Sequence, residues 1–317
     1  MSAKARQTSE LEQQIDNFLE YLSVEKGSSP LTIRNYKHYL GRFSSWLSDK
    51  GIRLTITDIN PEVVRQFRVY LSRLPGNRSE GTMSRKTQSY HVIALRSFLR
   101  YLIKNDKKVM SPDKIDLPKI DERQVKFLSG EQVERLLNAP SLSKVTGKRD
   151  KAILEVLYST GLRVSELTKL DKDKIDFKRR EFGILGKGGR ARVVFLSQRA
   201  ASWIEKYLKT RDDHFRPLFI RHGGKVNPST PDEKMRLTPR SVQRMIKKYV
   251  AKIKLPVDAT PHVIRHSFAT DLLIAGADIR SVQEMLGHKN IQTTQIYTHV
   301  THKHLKDIHE TFHGKGK

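Results

Sequence analysis

Apolar side chains recur every three or four residues through the first hundred positions, the period of helices that bury one face. Leu11, Ile15, Phe18, Leu19 and Leu22 form the first stripe. Tyr36, Leu40, Phe43 and Leu47 form the second, behind a Ser29–Pro30 start signal. Asn60 and Pro61 suit an N-cap and first-turn proline, and they precede a third stripe of Val64, Phe67, Leu71 and Leu74. Val92, Leu95, Leu99 and Leu102 complete a set of four amphipathic helices. Residues 1–105 therefore read as one helical domain. From 106 to 124 the stripe vanishes into two prolines and alternating charge, the pattern of a linker.

A second domain is expected over 125–300. Ser129 and Gln132 have capping-box spacing ahead of Val133, Leu136 and Leu137. Helices are expected at about 148–159, 163–170, 198–209, 239–253, 261–275, 278–286 and 291–297. Between them GILGKGGRARVVFL reads as two β-rich runs around a glycine-rich turn, hence a β-hairpin. The stretch 210–238 is polar and loop-rich, with no period to place it. The fold class is thus mainly α with a small β-hairpin, in two domains.

Composition narrows the chemistry. Among 317 residues, Lys and Arg exceed Asp and Glu by 26, and there is no cysteine. A disulfide scaffold, a thiol nucleophile and cysteine-ligated metal sites are excluded. No apolar run reaches the ~20 residues of a membrane span, and the N-terminus lacks a signal-peptide core. A soluble, intracellular protein is expected. The surplus divides as +8 over 1–105 and +18 beyond. Two basic domains suit a protein that grips a polyphosphate. On the fourth helix Arg96, Arg100 and Lys104 form a row, with Arg85 and Lys86 one or two turns earlier. Such a row reads either as a solvated face or as phosphate contacts, which set register but carry no sequence information.

Several short segments carry groups able to handle an anion. In TPHVIRHSFATDLL, Thr260 and Pro261 suit N-cap and N1, so His262 and Arg265 share a face near a helix start, with His266 close by. Gly161 would end a helix and place Arg163 at the start of the next, with Glu166 one turn on. Lys187 sits at the hairpin tip. Gly287–His288 closes a helix, and Tyr297 a further short one.

Taken in order, TGLRVSEL, GKGGRAR, HVIRH, LGH and IYTHV resemble the motifs of the tyrosine recombinases, or phage integrases, and most of all their Xer branch. The four N-terminal helices are similar to that family's core-binding domain. The resemblance implies a C-shaped two-domain clamp on DNA. It implies catalytic roles for Arg163, Lys187, His262, Arg265, His288 and the nucleophile Tyr297, with Glu166 supporting Arg163. The hairpin reads VVFL where relatives often have proline before the leucine, and Arg190 stands where lysine is frequent.

The chemistry suits these residue types. Attack on a phosphodiester passes through a pentavalent state with extra charge on its non-bridging oxygens, which two forked guanidiniums hold bidentately. Histidines add donors and move protons. A tyrosine of reference pKa near 10 needs its proton removed or its phenolate stabilised. By resemblance Lys187 protonates the leaving 5′ oxygen. A 3′-phosphotyrosyl link conserves the bond energy, so no cofactor, ATP or metal is expected.

The implied partner is double-stranded DNA with paired inverted half-sites, held by a homo-tetramer on two duplexes or a hetero-tetramer with a paralogue, and no membrane. The implied setting is the cytoplasm, at the nucleoid. The tail 301–317, with Leu305, Ile308 and Phe312 on one side, would dock on a neighbouring protomer. Dimer resolution leads, with integration or excision of a mobile element as the alternative. A type IB topoisomerase and a non-cutting DNA-binding regulator are further rivals. His309–Glu310–Thr311–Phe312–His313 also spells the H-E-x-x-H pattern of zinc proteases, but it ends four residues before the C-terminus.

Overall fold

The computed structural model describes residues 9–52, 55–76, 81–117, 126–186, 191–224, 227 and 229–287. The chain divides into two compact units, Met1–Arg123 and Gln124–Lys317.

Four helices build the first unit: α1 (Glu10–Val24), α2 (Pro30–Asp49), α3 (Pro61–Arg73) and α4 (Arg85–Lys104). Each begins where a short polar side chain accepts a backbone N–H of the first turn: Ser9, Ser29, Asn60 and Ser84. α4 packs against the other three, and its Leu95, Phe98, Leu99 and Leu102 are fully buried. Edge-on aromatic pairs tie the helices together, with Phe43 and Phe67 at 5.0 Å. The four expected stripes are the four buried faces.

Part of the stretch expected as linker instead packs on this unit. Ile115 is buried in its core, Val109 and Met110 pack against that core, and Arg68 Nη1 donates to the Asp116 carbonyl at 3.1 Å. Three apolar residues scattered between 109 and 115 carry no helical period, so the sequence pattern could not mark them.

The second unit carries α5 (Gly130–Leu137), α6 (Val145–Thr160), α7 (Val164–Leu167), β1 (Glu181–Leu185), β2 (Ala191–Phe195), α8 (Gln198–Leu208), α9 (Asp232–Met235), α10 (Pro239–Lys252), α11 (Pro261–Ile274) and α12 (Ile279–Leu286). α6 is its axis: Ala152, Ile153, Leu154, Val156 and Leu157 are wholly buried against α5, α8, α11 and β2. A helix buried on all sides must also bury its polar residues, and these are paired. Lys151 Nζ meets Glu155 at 2.8 Å, and Arg199 Nε meets the same carboxylate at 2.7 Å. β1 and β2 pair antiparallel, Leu185 with Ala191 and Glu181 with Phe195.

α7 stops at Leu167 rather than 170. The Arg236 guanidinium takes the Thr168 and Leu170 carbonyls, both at 3.2 Å, and Leu170 turns away to accept the Leu218 N–H. The first part of the unplaced stretch 210–238 is held in the same manner: Arg211 donates to the carbonyls of Phe215, Pro217 and Leu218, and Arg149 to that of Ile220. Part of the basic surplus therefore satisfies buried backbone carbonyls instead of facing a partner. Among the described residues no helix is long and apolar enough to cross a membrane.

Candidate active site

Arg163 and Arg265 are brought together by helix ends. α6 ends at Gly161, whose φ is +59°. Glycine is required there twice over: the left-handed backbone disfavours a side chain, and a Cβ would lie 2.4 Å from Phe268 Cδ1. The turn buries Leu162 and delivers Arg163 as the N-cap of α7. Glu166, one turn on, folds back to accept the Arg163 backbone N–H at 3.0 Å and its Nη1 at 2.9 Å. The R-x-x-E spacing thus makes a cap and an ion pair at once.

Arg265 stands five residues into α11 and is 4% exposed. Its Nη1 donates to the Gly161 carbonyl at 2.6 Å and its Nη2 to that of Leu286 at 2.7 Å. Arg163 Nη2 donates to the next carbonyl, Gly287, at 3.3 Å. Consecutive carbonyls at the end of α12 therefore hold the two guanidiniums side by side. A helix C-terminus has carbonyls without intrahelical partners and the negative end of the dipole, so it suits cations.

His262 occupies the first turn of α11, exposed to solvent, behind Pro261 and the Thr260 cap. The mass of the unit beneath it, then the Arg265 and Arg163 charges, hold its pKa below the usual histidine value. His266 is pushed down to about 4 by burial, then by His262 and Arg265. Both imidazoles are therefore neutral near pH 7. Burial alone would raise the Glu166 carboxyl, but hydrogen bonds from Arg192 and Arg163 outweigh it and leave the pKa lowered. Glu166 is accordingly ionised.

Of the residues expected to act here, Arg163, Glu166, His262 and Arg265 converge. Lys187, Arg190, His288 and Tyr297 lie outside the described residues, as does the His309–His313 pattern.

Arg192 is the residue that motif reading missed. From β2 its Nη1 reaches Glu166 Oε1 at 3.3 Å and its Nη2 reaches Oε2 at 3.0 Å. The signal was its phase. Arg192 stands two residues before the buried Val194, so it shares the inward face of the strand.

The basic row of the first unit is partly paired. Arg96 and Arg100 converge on Asp113 at 3.1 and 3.5 Å, and Lys104 lies 3.9 Å from Glu25. The Arg96 side chain is only 19% exposed and anchors the turn at Pro112–Lys114. Arg100 and Lys104 are well exposed, and such pairs are weak enough to yield to a phosphate. Arg85 and Lys86 are exposed and make no ion pair among the described residues.

Residues 126–304 match the phage integrase family, and residues 15–106 match the phage integrase N-terminal SAM-like domain. This chain belongs to the phage integrase family of tyrosine recombinases. Within it the chain is Xer-like. It is 36% identical over 303 residues to tyrosine recombinase XerD of Lacticaseibacillus casei, covering 95% of this chain and 99% of that one. It is also 36% identical over 314 residues to tyrosine recombinase XerC of Pelotomaculum thermopropionicum, covering 96% and 98%. Its fold is similar to that of the XerH site-specific recombinase bound to palindromic difH substrate, at a TM-score of 0.68 and 20% identity over 94% of this chain and 84% of that one. A site-specific recombinase, an enzyme that cuts and rejoins DNA, accounts for the site: paired guanidiniums beside a neutral imidazole are what phosphoryl transfer through a protein nucleophile asks for.

Proposed function

We propose that this recombinase cuts DNA through Tyr297 and resolves dimers of a chromosome or plasmid. The observation that carries the reading is the anchoring of Arg163 and Arg265 on the successive carbonyls of Gly287 and Leu286. Both cations are preorganised before any substrate arrives, so they stabilise the pentavalent state without reorganisation. Tyr297 attacks the scissile phosphorus, and Lys187 gives a proton to the departing 5′ oxygen. A 3′-phosphotyrosyl link remains, open to a 5′-hydroxyl from a second strand. His288 donates to a non-bridging oxygen, and His262 accepts the tyrosine proton. The arginines carry the charge that a divalent ion carries in metal-dependent phosphoryl transfer, so the reaction runs in chelator.

The DNA carries paired inverted half-sites, one per protomer, and four protomers hold two duplexes, as a homo-tetramer or with a paralogue, at the nucleoid in the cytoplasm. Arg85, Lys86, Arg100 and Lys104 contact phosphates, while Arg96 orients the turn beside them. The domains follow as a core-binding part that takes in Val109, Met110 and Ile115, a catalytic part from about 125 to 300 and a docking tail over 301–317.

The test is a supercoiled plasmid bearing two copies of the native site, incubated in chelator. Deletion or inversion between the sites is the expected product. A chain ending at residue 300 should keep single-site cleavage and lose recombination. Relaxation of supercoils with one site or none, and no exchange, would turn the reading into a topoisomerase; unaltered plasmid despite binding would turn it into a regulator.

The acid limb of cleavage follows from His262. Only the neutral ring accepts a proton, and burial, then the Arg265 and Arg163 charges, hold its pKa below the ordinary histidine value. The pH at which the single-turnover rate falls by half should therefore lie below that ordinary value. A halving near pH 6.5 would show an unperturbed histidine and remove His262 from this role.

A further inference from the structure

We propose that Arg192 is a positioning residue of the recombinase site, which fixes the Arg163 guanidinium by clamping both oxygens of Glu166. The inference rests on the reading that Arg163 holds the scissile phosphate. Each Glu166 oxygen receives one bond from Arg163 and one from Arg192. Oε1 accepts Arg163 Nη1 at 2.9 Å and Arg192 Nη1 at 3.3 Å, while Oε2 accepts the Arg163 backbone N–H at 3.0 Å and Arg192 Nη2 at 3.0 Å.

A carboxylate turns easily about its terminal torsion. Held by Arg163 alone, Glu166 would swing with the guanidinium it is meant to orient. A planar fork from a third element stops that rotation, and a point charge cannot. Arg192 comes from β2, so the plane of Glu166 is set by the sheet and not by the short helix that carries it.

Two further observations favour the fork over simple charge balance. Arg192 Nε is buried with no hydrogen-bond partner among the described residues, an uncompensated desolvation that a lysine would avoid. The guanidinium also lies against the turn that holds the other arm of Arg163: a Cβ on Gly287 would come within 2.7 Å of Arg192 Nη1. Gly287, at φ +64°, thus leaves room for Arg192 and offers its carbonyl to Arg163. One side chain braces both contacts that aim Arg163.

The experiment compares wild type, Arg192→Lys, Glu166→Gln and the double variant. Three quantities are read: the single-turnover rate of covalent adduct on nicked DNA bearing the native site, the Kd for that DNA, and the thermal midpoint. Arg192→Lys keeps the charge and removes the fork. It should slow adduct formation about 10–100-fold while Kd stays within about threefold and the midpoint within a few degrees. In the Glu166→Gln background the same change should cost less than about threefold, because Arg192 acts through Glu166.

Wild-type cleavage by Arg192→Lys would overturn the proposal. So would a loss that merely tracks Kd or the folded fraction, or an equal loss in both backgrounds. Absence of adduct from wild type on a bound native site would overturn the underlying reading of Arg163, and this inference with it.

Discussion

Arg163→Ala and Arg265→Ala should both stop DNA cleavage, and only the second should weaken the fold. On the proposed reading each guanidinium aims charged donors at the phosphate, and one preorganised donor is worth about 10²–10³ in rate. A forked cation lost entirely should cost roughly 10³-fold or more in single-turnover adduct formation. Binding should change little, because one phosphate contact is a small part of a long polyphosphate interface.

The two variants part in stability. Arg265 is 4% exposed and supplies the donors for the Gly161 and Leu286 carbonyls, both on buried residues. Alanine leaves both unpaired at about 1–3 kcal/mol each, so a total of about 2–6 kcal/mol is expected. In a unit of this size that lowers the thermal midpoint by roughly 5–20 °C. Arg163 has a side chain 28% exposed, and Glu166 keeps Arg192 when it goes. Its loss should cost under about 1 kcal/mol. Adduct gels, a Kd by filter binding and a thermal melt separate the outcomes. If Arg163→Ala cleaves within tenfold of wild type, Arg163 does not hold the phosphate.

Much of this architecture is written in period and punctuation. The four stripes of the first unit and their Ser or Asn caps fix α1 to α4, because each helix buries one face only. Gly161, Arg163 and Glu166 are legible for a related reason: a left-handed glycine, an N-cap and a residue one turn on are local rules. What escaped depends on contacts distant in sequence. Val109, Met110 and Ile115 pack without a stripe. The described parts of 210–238 are held by Arg211, Arg149 and Arg236 on backbone carbonyls, and a side chain that binds a carbonyl leaves no pattern in sequence. The Arg96 and Arg100 row looked free because Asp113 lies on a turn outside the helix. Arg192 was visible only in phase, as a charged side chain on the inward face of a strand, which has no reason to persist without a buried carboxylate to meet it.

Tyr297→Phe should abolish the covalent protein–DNA adduct and leave binding and folding unchanged. The substitution removes one oxygen, so the loss should exceed about 10⁴-fold, the scale seen when an enzyme nucleophile is deleted. The second unit contains four tyrosines, and the other three are poorly placed to replace it. Burial, then a hydrogen bond donated to Asp271, raises the pKa of Tyr158. Burial and then Asp150, which accepts its hydroxyl proton at 2.9 Å, raise that of Tyr249. Tyr207 is fully buried and pushed up to about 12. Each of these phenols is held protonated, whereas a nucleophile must lose its proton. Tyr297 need not lose it beforehand. In the proposed mechanism a neutral His262 of lowered pKa is too weak a base to strip a phenol outright, so proton transfer accompanies attack as charge passes to oxygens that Arg163 and Arg265 hold. The check is a labelled DNA strand on a denaturing gel, with protease treatment to show that the shifted band contains protein. An adduct that survives in Tyr297→Phe would mean that another residue attacks, and peptide mapping of that adduct would name it.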